Sequence, residues 1–171
     1  MNKVIIAGSR DFDNFISAEY NLLSFFKAFG IHSTDIEIIS GGARGADKIG
    51  EQFAKKYNIK LTVFPAQWDK YGKSAGMIRN AEMAQYAKDG ILFAFWDGKS
   101  TGTKNMIDAA RRNNMTVLIY EYKKVKGEKT TFIQNDDRIL NIDMNKVKEM
   151  LANINAGLWK GDKNNEDSKS N

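Results

Sequence analysis

The chain has no cysteine, one histidine (His32) and one proline (Pro65) among its 171 residues. Without cysteine it has no disulfide, no thiolate zinc site and no cysteine nucleophile. One histidine argues against a histidine-centred triad and excludes a metal site built from several histidines. His32 follows a predicted helix end, where a solvated loop residue is the simpler interpretation. Carboxylates, hydroxyls, arginines, lysines and backbone dipoles remain for binding or chemistry, and we predict neither a metal nor a cofactor.

Long apolar runs are also missing, since no stretch approaches the ~20 residues that a transmembrane helix needs. The chain starts with Met1-Asn2-Lys3 and a strand-like run, which leaves no room for a secretory signal. We therefore expect a cytoplasmic protein with no membrane partner. The 42% hydrophobic and 27% charged residues are typical of a globular domain. The net charge of +5 favours anionic partners without separating nucleotides from nucleic acid or acidic proteins.

Three glycine-rich turns each follow a short apolar run. Turn one is residues 8–11 (GSRD), turn two is residues 41–47 (GGARGAD) and turn three is residues 98–103 (GKSTGT). A strand that ends in glycine and opens a helix directs bare backbone N–H groups and the positive helix end at a bound anion. The three turns therefore predict a phosphate-bearing, nucleotide-like ligand.

Strand-like runs alternate with helical periodicity over the first two thirds of the chain. We predict strands at residues 4–7, 36–40, 61–64, 91–95 and 116–120, helices at about 15–30, 46–57, 75–87 and 103–112, and a loop at 66–74. This alternation predicts an α/β, Rossmann-like, doubly wound fold with a mainly parallel five-stranded sheet and helices on both faces. With strand order 3-2-1-4-5, turns one and three would face each other at the reversal of strand order, with turn two beside them.

The domain organisation follows from a change of composition near residue 122. Residues 1–122 form the predicted nucleotide-binding domain. Residues 123–160 form a predicted C-terminal hairpin, with strands at 131–133 and 138–140, and a helix with an apolar face at Met144, Val147, Leu151 and Ile154, packed on that domain. Residues 161–171 are all Gly, Asp, Lys, Asn, Glu or Ser, which predicts a disordered tail.

The candidate ligand-binding residues each have a simpler interpretation as well. The glycines could merely permit tight turns, and the arginines could lie at the surface rather than grip a phosphate. Hydroxyls and carboxylates in these turns could cap helices, and Trp68 could cover the sheet edge or stack on a base. The predicted ligand-binding set is Gly8, Ser9, Arg10, Asp11, Gly41, Gly42, Ala43, Arg44, Gly45, Asp47, Trp68, Arg79, Asn80, Asp97, Gly98, Thr101, Gly102 and Thr103.

The series of turn one, residues 40–47, Trp68, residues 75–80 and Gly102-Thr103 resembles the YpsA-related branch of the SLOG superfamily, Rossmann-like proteins of bacteria and their phages. The resemblance covers residues 4–120. Relatives in that superfamily include the LONELY GUY phosphoribohydrolases and DNA-processing protein A, and others sense or process ADP-ribose derivatives. The resemblance therefore implies a nucleotide-type ligand, draws attention to Arg79 and Asn80, and implies a homodimer or higher homo-oligomer.

One position departs from the pattern of the phosphoribohydrolases. Those enzymes carry a catalytic glutamate three positions after a Gly-Thr turn, where this chain has Met106. Methionine neither acts as a base nor stabilises an oxocarbenium ion. Catalysis would need another carboxylate, from Asp11, Asp97 or Glu82, so the catalytic residues stay unassigned.

Three functions follow from these observations. The first is binding of a nucleotide or nucleotide-derived signal, such as an ADP-ribose-like compound or a cyclic nucleotide, by a sensor or sequestering protein with a role in phage anti-defence. The second is hydrolysis of an N-glycosidic or phosphate bond in such a ligand. The third, ranked last because the basic residues are spread along the chain, is binding of single-stranded DNA.

Overall fold

The computed structural model describes residues 1–124 and the backbone of residues 131–132. The strands are β1 Asn2–Gly8, β2 Ile36–Ser40, β3 Lys60–Val63, β4 Ile91–Trp96, β5 Thr116–Lys123 and β6 Thr131–Phe132. The helices are α1 Phe15–Ala28, α2 Ala46–Lys56, α3 Trp68–Tyr71, α4 Ala75–Tyr86 and α5 Thr101–Arg112, with 3-10 turns at Ser33–Asp35 and Gly72–Ser74. Within these ranges no helix combines the length and the apolar character of a membrane-spanning segment.

The sheet has the order β3-β2-β1-β4-β5-β6. The first five strands are parallel, and β6 pairs antiparallel with β5. The predicted fold class and the order of the first five strands are therefore confirmed. After β1 the chain adds β2 and β3 on one side of the sheet and then β4 and β5 on the other side. The carboxyl ends of β1 and β4 therefore form a topological switch point.

The core forms two layers because alternate residues of the strands point to opposite faces. Val4 and Ile6 of β1 pack with the cluster under α1 and α2, while Ile5 and Ala7 pack with the cluster under α4 and α5. The central strands β1, β2 and β4 are mainly apolar and their middle residues are buried, as parallel strands covered on both faces require. This rigid centre fixes the positions of the turns at its carboxyl edge.

One segment differs from the sequence prediction, and one predicted strand has a partner that was not predicted. Residues 66–74, predicted as a loop, contain α3 and a 3-10 turn, because the Gln67 carbonyl accepts bonds from the Lys70 and Tyr71 N–H groups. A helix of one turn is too short to show periodicity in the sequence. The first strand of the predicted C-terminal hairpin pairs with β5, where Phe132 lies opposite Tyr122. The rest of that hairpin, the predicted helix and the tail lie outside the described residues.

Candidate functional site

Turn one contacts both other glycine turns at the carboxyl edge of the sheet. The Ser9 N–H donates to the Phe95 carbonyl at 2.9 Å, and the Ser9 hydroxyl accepts the N–H of Asp97, the residue directly before turn three, at 3.2 Å. A Cβ on Gly45 would lie 2.3 Å from the Ser9 carbonyl oxygen, so turn two packs directly on turn one. Gly45 also has φ +80°, a conformation that favours glycine.

The side chain of Arg79 is the group that lies closest to Gly41. The Arg79 guanidinium donates to the Gly41 carbonyl and lies where a Gly41 side chain would begin. Its Nη1 is 3.6 Å from the Asp47 Oδ2, and that same oxygen accepts the Ala43 N–H at 3.2 Å. Gly41 therefore makes room for Arg79, and Arg79 and Asp47 together hold turn two in place.

The electrostatics of turn two centre on a buried carboxylate. Asp47 is 4% exposed, and this burial raises its pKa to about 6, although the charge of Arg79 opposes the rise. Burial also lowers the pKa of Arg79; Asp47 opposes this and Arg10 adds to it. Arg10 is exposed in turn one, its backbone lies against Gly45 of turn two, and its charge reaches Arg79. Like charges brought together in this way favour an anion between them.

Asn80 connects α4 to turn three. Its Nδ2 donates to the Gly102 carbonyl at 3.2 Å and to the Asn105 Oδ1 at 3.0 Å, and its Oδ1 accepts from the Arg79 Nε at 3.1 Å. Asn80 is 6% exposed, so these bonds are shielded from water. Arg79 and Asn80, which the sequence linked to the site only through a family resemblance, are therefore placed between turns two and three.

Several backbone N–H groups of the turns donate to side chains of the residues directly before those turns, which the sequence analysis did not expect. The Gly42 N–H donates to the Ser40 hydroxyl at 3.0 Å, while the Lys99 and Ser100 N–H groups donate to the Asp97 carboxylate at 3.0 and 2.7 Å. These local bonds form because a short polar side chain lies two or three residues before each N–H group. In α2, by contrast, the N-cap is Gly45, which has no side chain to accept the first-turn N–H groups.

Comparison with known proteins places this chain in a family. The model of the YspA, cpYpsA-related SLOG family matches residues 2–71, which include turns one and two. The Gene 61 protein of Mycobacterium phage D29 is 34% identical over 86 residues, covering 47% of this chain and 68% of the phage protein. The chain belongs to this SLOG family. No solved structure matches it significantly.

The remaining predicted residues of this SLOG protein lie at the same edge with varied roles. Trp68 is 52% exposed in α3, and its ring edge lies 3.5 Å from where a Gly76 Cβ would be. Thr103 is buried and bonds to the N-cap Ser100, whereas Thr101 is exposed. Arg44 and Gly98 are exposed at the tips of their turns. A shallow depression beside the Arg79 side chain is lined by Pro65, Gln67, Tyr71, Ala75, Ile78, Arg79 and Glu82.

The acidic residues considered for catalysis in this SLOG protein are largely engaged by their own chain. The Asp11 Oδ1 accepts from the Tyr122 hydroxyl at 2.6 Å, and Asp97 bonds to the backbone of turn three, which lowers its pKa despite an opposing contribution from burial. Met106 is 2% exposed within the apolar core under α4 and α5. Glu82 lines the depression described above.

The predicted ligand-binding set left out three residues that shape the site of this SLOG protein. Ser40 and Ser100 bond to the backbone or side chains of turns two and three, and the spacing of Ser100 three residues before Thr103 is a recognisable N-cap signal. Tyr122 contacts Asp11 from the far end of β5, 111 residues away, and no local pattern predicts that contact. In the described part of the chain no three acidic or histidine side chains lie close enough together to hold a metal ion.

Proposed function

We propose that the chain binds a nucleotide or nucleotide-derived signalling molecule through its phosphates at the carboxyl edge of the sheet. Membership of the SLOG family indicates nucleotide-related binding or processing. The observation that carries the proposal is the contact of turn one with turn two: the Arg10 backbone lies against Gly45 and the Arg79 guanidinium donates to the Gly41 carbonyl, so an arginine stands at each end of turn two. A phosphate between them would receive two charge-assisted contacts beside the first-turn N–H groups of α2.

The surroundings of this phosphate position suit the rest of a nucleotide. Trp68 offers a half-exposed aromatic face beside the start of α4, on which a base can stack. Gly42 and Gly102 are exposed at the mouth of the site and leave the backbone accessible to a ligand. We therefore propose a compact anionic ligand that carries a base, of the ADP-ribose or cyclic nucleotide class.

Binding is proposed rather than hydrolysis because of the carboxylates. Asp11 and Asp97 are held by Tyr122 and by the backbone of turn three. Met106, at the position of the glutamate of the phosphoribohydrolases, is buried in the core. A protein that binds such a ligand without cleaving it acts as a sensor or sequesters the ligand. A relative is found in Mycobacterium phage D29, and we propose for the sequestering form a role in phage anti-defence.

Calorimetric titration tests the proposal with ADP-ribose, cyclic ADP-ribose isomers, AMP and cyclic oligonucleotides. At least one of these compounds should bind the wild type. Arg10→Met should weaken that binding by about ten- to a hundredfold, since a hydrogen bond to a charged group contributes about 1.5–3 kcal/mol. Arg10 is exposed, so the fold should be retained.

The matched control for this titration is Arg112→Met. Arg112 is exposed at the last residue of α5, at the opposite edge of the sheet from the three turns. Its replacement removes the same charge from the protein and should leave the affinity unchanged. No binding of any compound at millimolar concentration would refute the proposal, and equal weakening by both variants would show that only net charge matters. Chromatography of the incubated compounds would reveal products if the protein cleaved its ligand.

A further inference from the structure

Asp47 is the most deeply buried carboxylate at the site, and a phosphate bound there would compete with it for the Arg79 guanidinium. Among the described residues Asp47 forms an ion pair with Arg79, whose Nη1 is 3.6 Å from the Asp47 Oδ2, and it accepts the Ala43 N–H at 3.2 Å. The Arg79 side chain is itself only 12% exposed. A phosphate placed against Arg79 would therefore bring a second negative charge to a guanidinium that already neutralises a buried one.

We propose that anion binding at Arg79 is coupled to uptake of a proton by Asp47, so that each bound ligand enters together with a proton. This inference rests on the proposed function and names how binding at that site is regulated. The proton comes from solvent and neutralises the Asp47 carboxylate, and no other bond is made or broken. Arg79 then directs its charge to the phosphate alone, while protonated Asp47 keeps its place against turn two.

The charges around Asp47 favour this exchange. On its own helix, Glu51 faces it and adds a negative charge, partly neutralised by Lys48 at 2.6 Å. From α4 Arg79 stabilises the ionised form, as do the backbone N–H groups of Gly41 and Ala43 in turn two, and Arg10 from turn one lowers the pKa of Arg79. The pKa of Asp47 is already about 6 before a ligand adds its charge. A nearby phosphate disfavours the carboxylate further, which takes its titration through neutral pH.

The test is calorimetric titration of the wild-type protein with ADP-ribose at about pH 7, in buffers of different ionisation enthalpy. ADP-ribose is the probe because its pyrophosphate diester does not titrate between about pH 5.5 and pH 8. We expect uptake on the order of half a proton or more per ligand, and an affinity that falls by roughly tenfold between about pH 6 and pH 8. Asp47→Asn should abolish both effects while still binding ADP-ribose.

Glu51→Gln is the matched control, because Glu51 is the other carboxylate that faces Asp47 and its Ser40 contact survives in glutamine. This variant should keep most of the proton uptake. Binding of ADP-ribose by the wild type without proton uptake would overturn the inference and leave the proposed function standing. Uptake that persists in Asp47→Asn would also overturn it. Failure of ADP-ribose to bind overturns this inference, and only failure of every compound in the panel overturns the proposed function.

Discussion

Asp47→Asn should remove from the protein a contribution to stability that falls as the pH rises, independently of any ligand. Burial raises the pKa of Asp47 from 3.8 to about 6. The folded chain therefore holds this proton more tightly than the unfolded chain, so this group lowers stability as the pH rises from about 4 to about 6, and the loss persists above that. Two pKa units correspond to about 3 kcal/mol. Asparagine does not titrate, so the free energy of unfolding of the variant, relative to wild type, should rise by about 3 kcal/mol between about pH 4 and pH 7.

Urea denaturation followed by circular dichroism at a series of pH values measures this difference. Contributions of the other titratable groups cancel because the two proteins share them. Asp108→Asn is the control: Asp108 bonds to Lys104 at 2.8 Å on α5, and that contact lowers its pKa, so its replacement should produce a smaller change of opposite sign. Parallel pH profiles for wild type and Asp47→Asn would refute the account of this buried carboxylate.

Three further substitutions test the packing of the site. Arg79→Met should destabilise the protein by about 3 kcal/mol at pH 7, since it leaves Asp47 buried without its cation. Urea denaturation should show a smaller loss of stability near pH 5, and a loss that does not depend on pH would contradict the pairing of Arg79 with Asp47. Gly45→Ala should lower the free energy of unfolding by about 3 kcal/mol or more, because the new methyl group would lie 2.3 Å from the Ser9 carbonyl oxygen and the residue has φ +80°. A melting temperature near that of the wild type would show that turns one and two are not packed so closely. Gly102→Ala should keep or raise the melting temperature, since Gly102 lies in α5 and its new methyl group would meet no described atom within 4 Å. The same variant should weaken binding of the ligand found by calorimetry, and unchanged affinity would remove Gly102 from the site.

The sequence predicted the strands that carry the site and the order of those strands in the sheet. The apolar runs at residues 4–7, 36–40 and 91–95 are buried strands, and short connections with right-handed crossovers leave few ways to order them. That order brings the turns after β1, β2 and β4 to one edge, where turn one contacts the other two. The membership in the SLOG family, first suggested by residues 40–47, is confirmed by a family match over residues 2–71.

The sequence could not predict which groups the turns would hold. Gly41 was placed in the predicted ligand-binding set, and the structure puts Arg79, from 38 residues further along the chain, in the space beside it. Asp97 was grouped with ligand-binding residues, yet it bonds to the backbone two and three residues ahead. Both outcomes depend on distances between side chains after folding, and a glycine-rich pattern alone does not distinguish a bound anion from an internal partner.

Chemical-shift mapping by NMR tests the central claim most directly. The amide signals of isotope-labelled protein are followed while a compound that binds in calorimetry, or ADP-ribose at millimolar concentration, is added. We predict that the largest shifts fall on Arg10, on residues 44–46 at the start of α2 and on Gly102, with little change at the opposite edge of the sheet. Shifts concentrated away from these three turns, or none with any compound of the panel, would contradict the account.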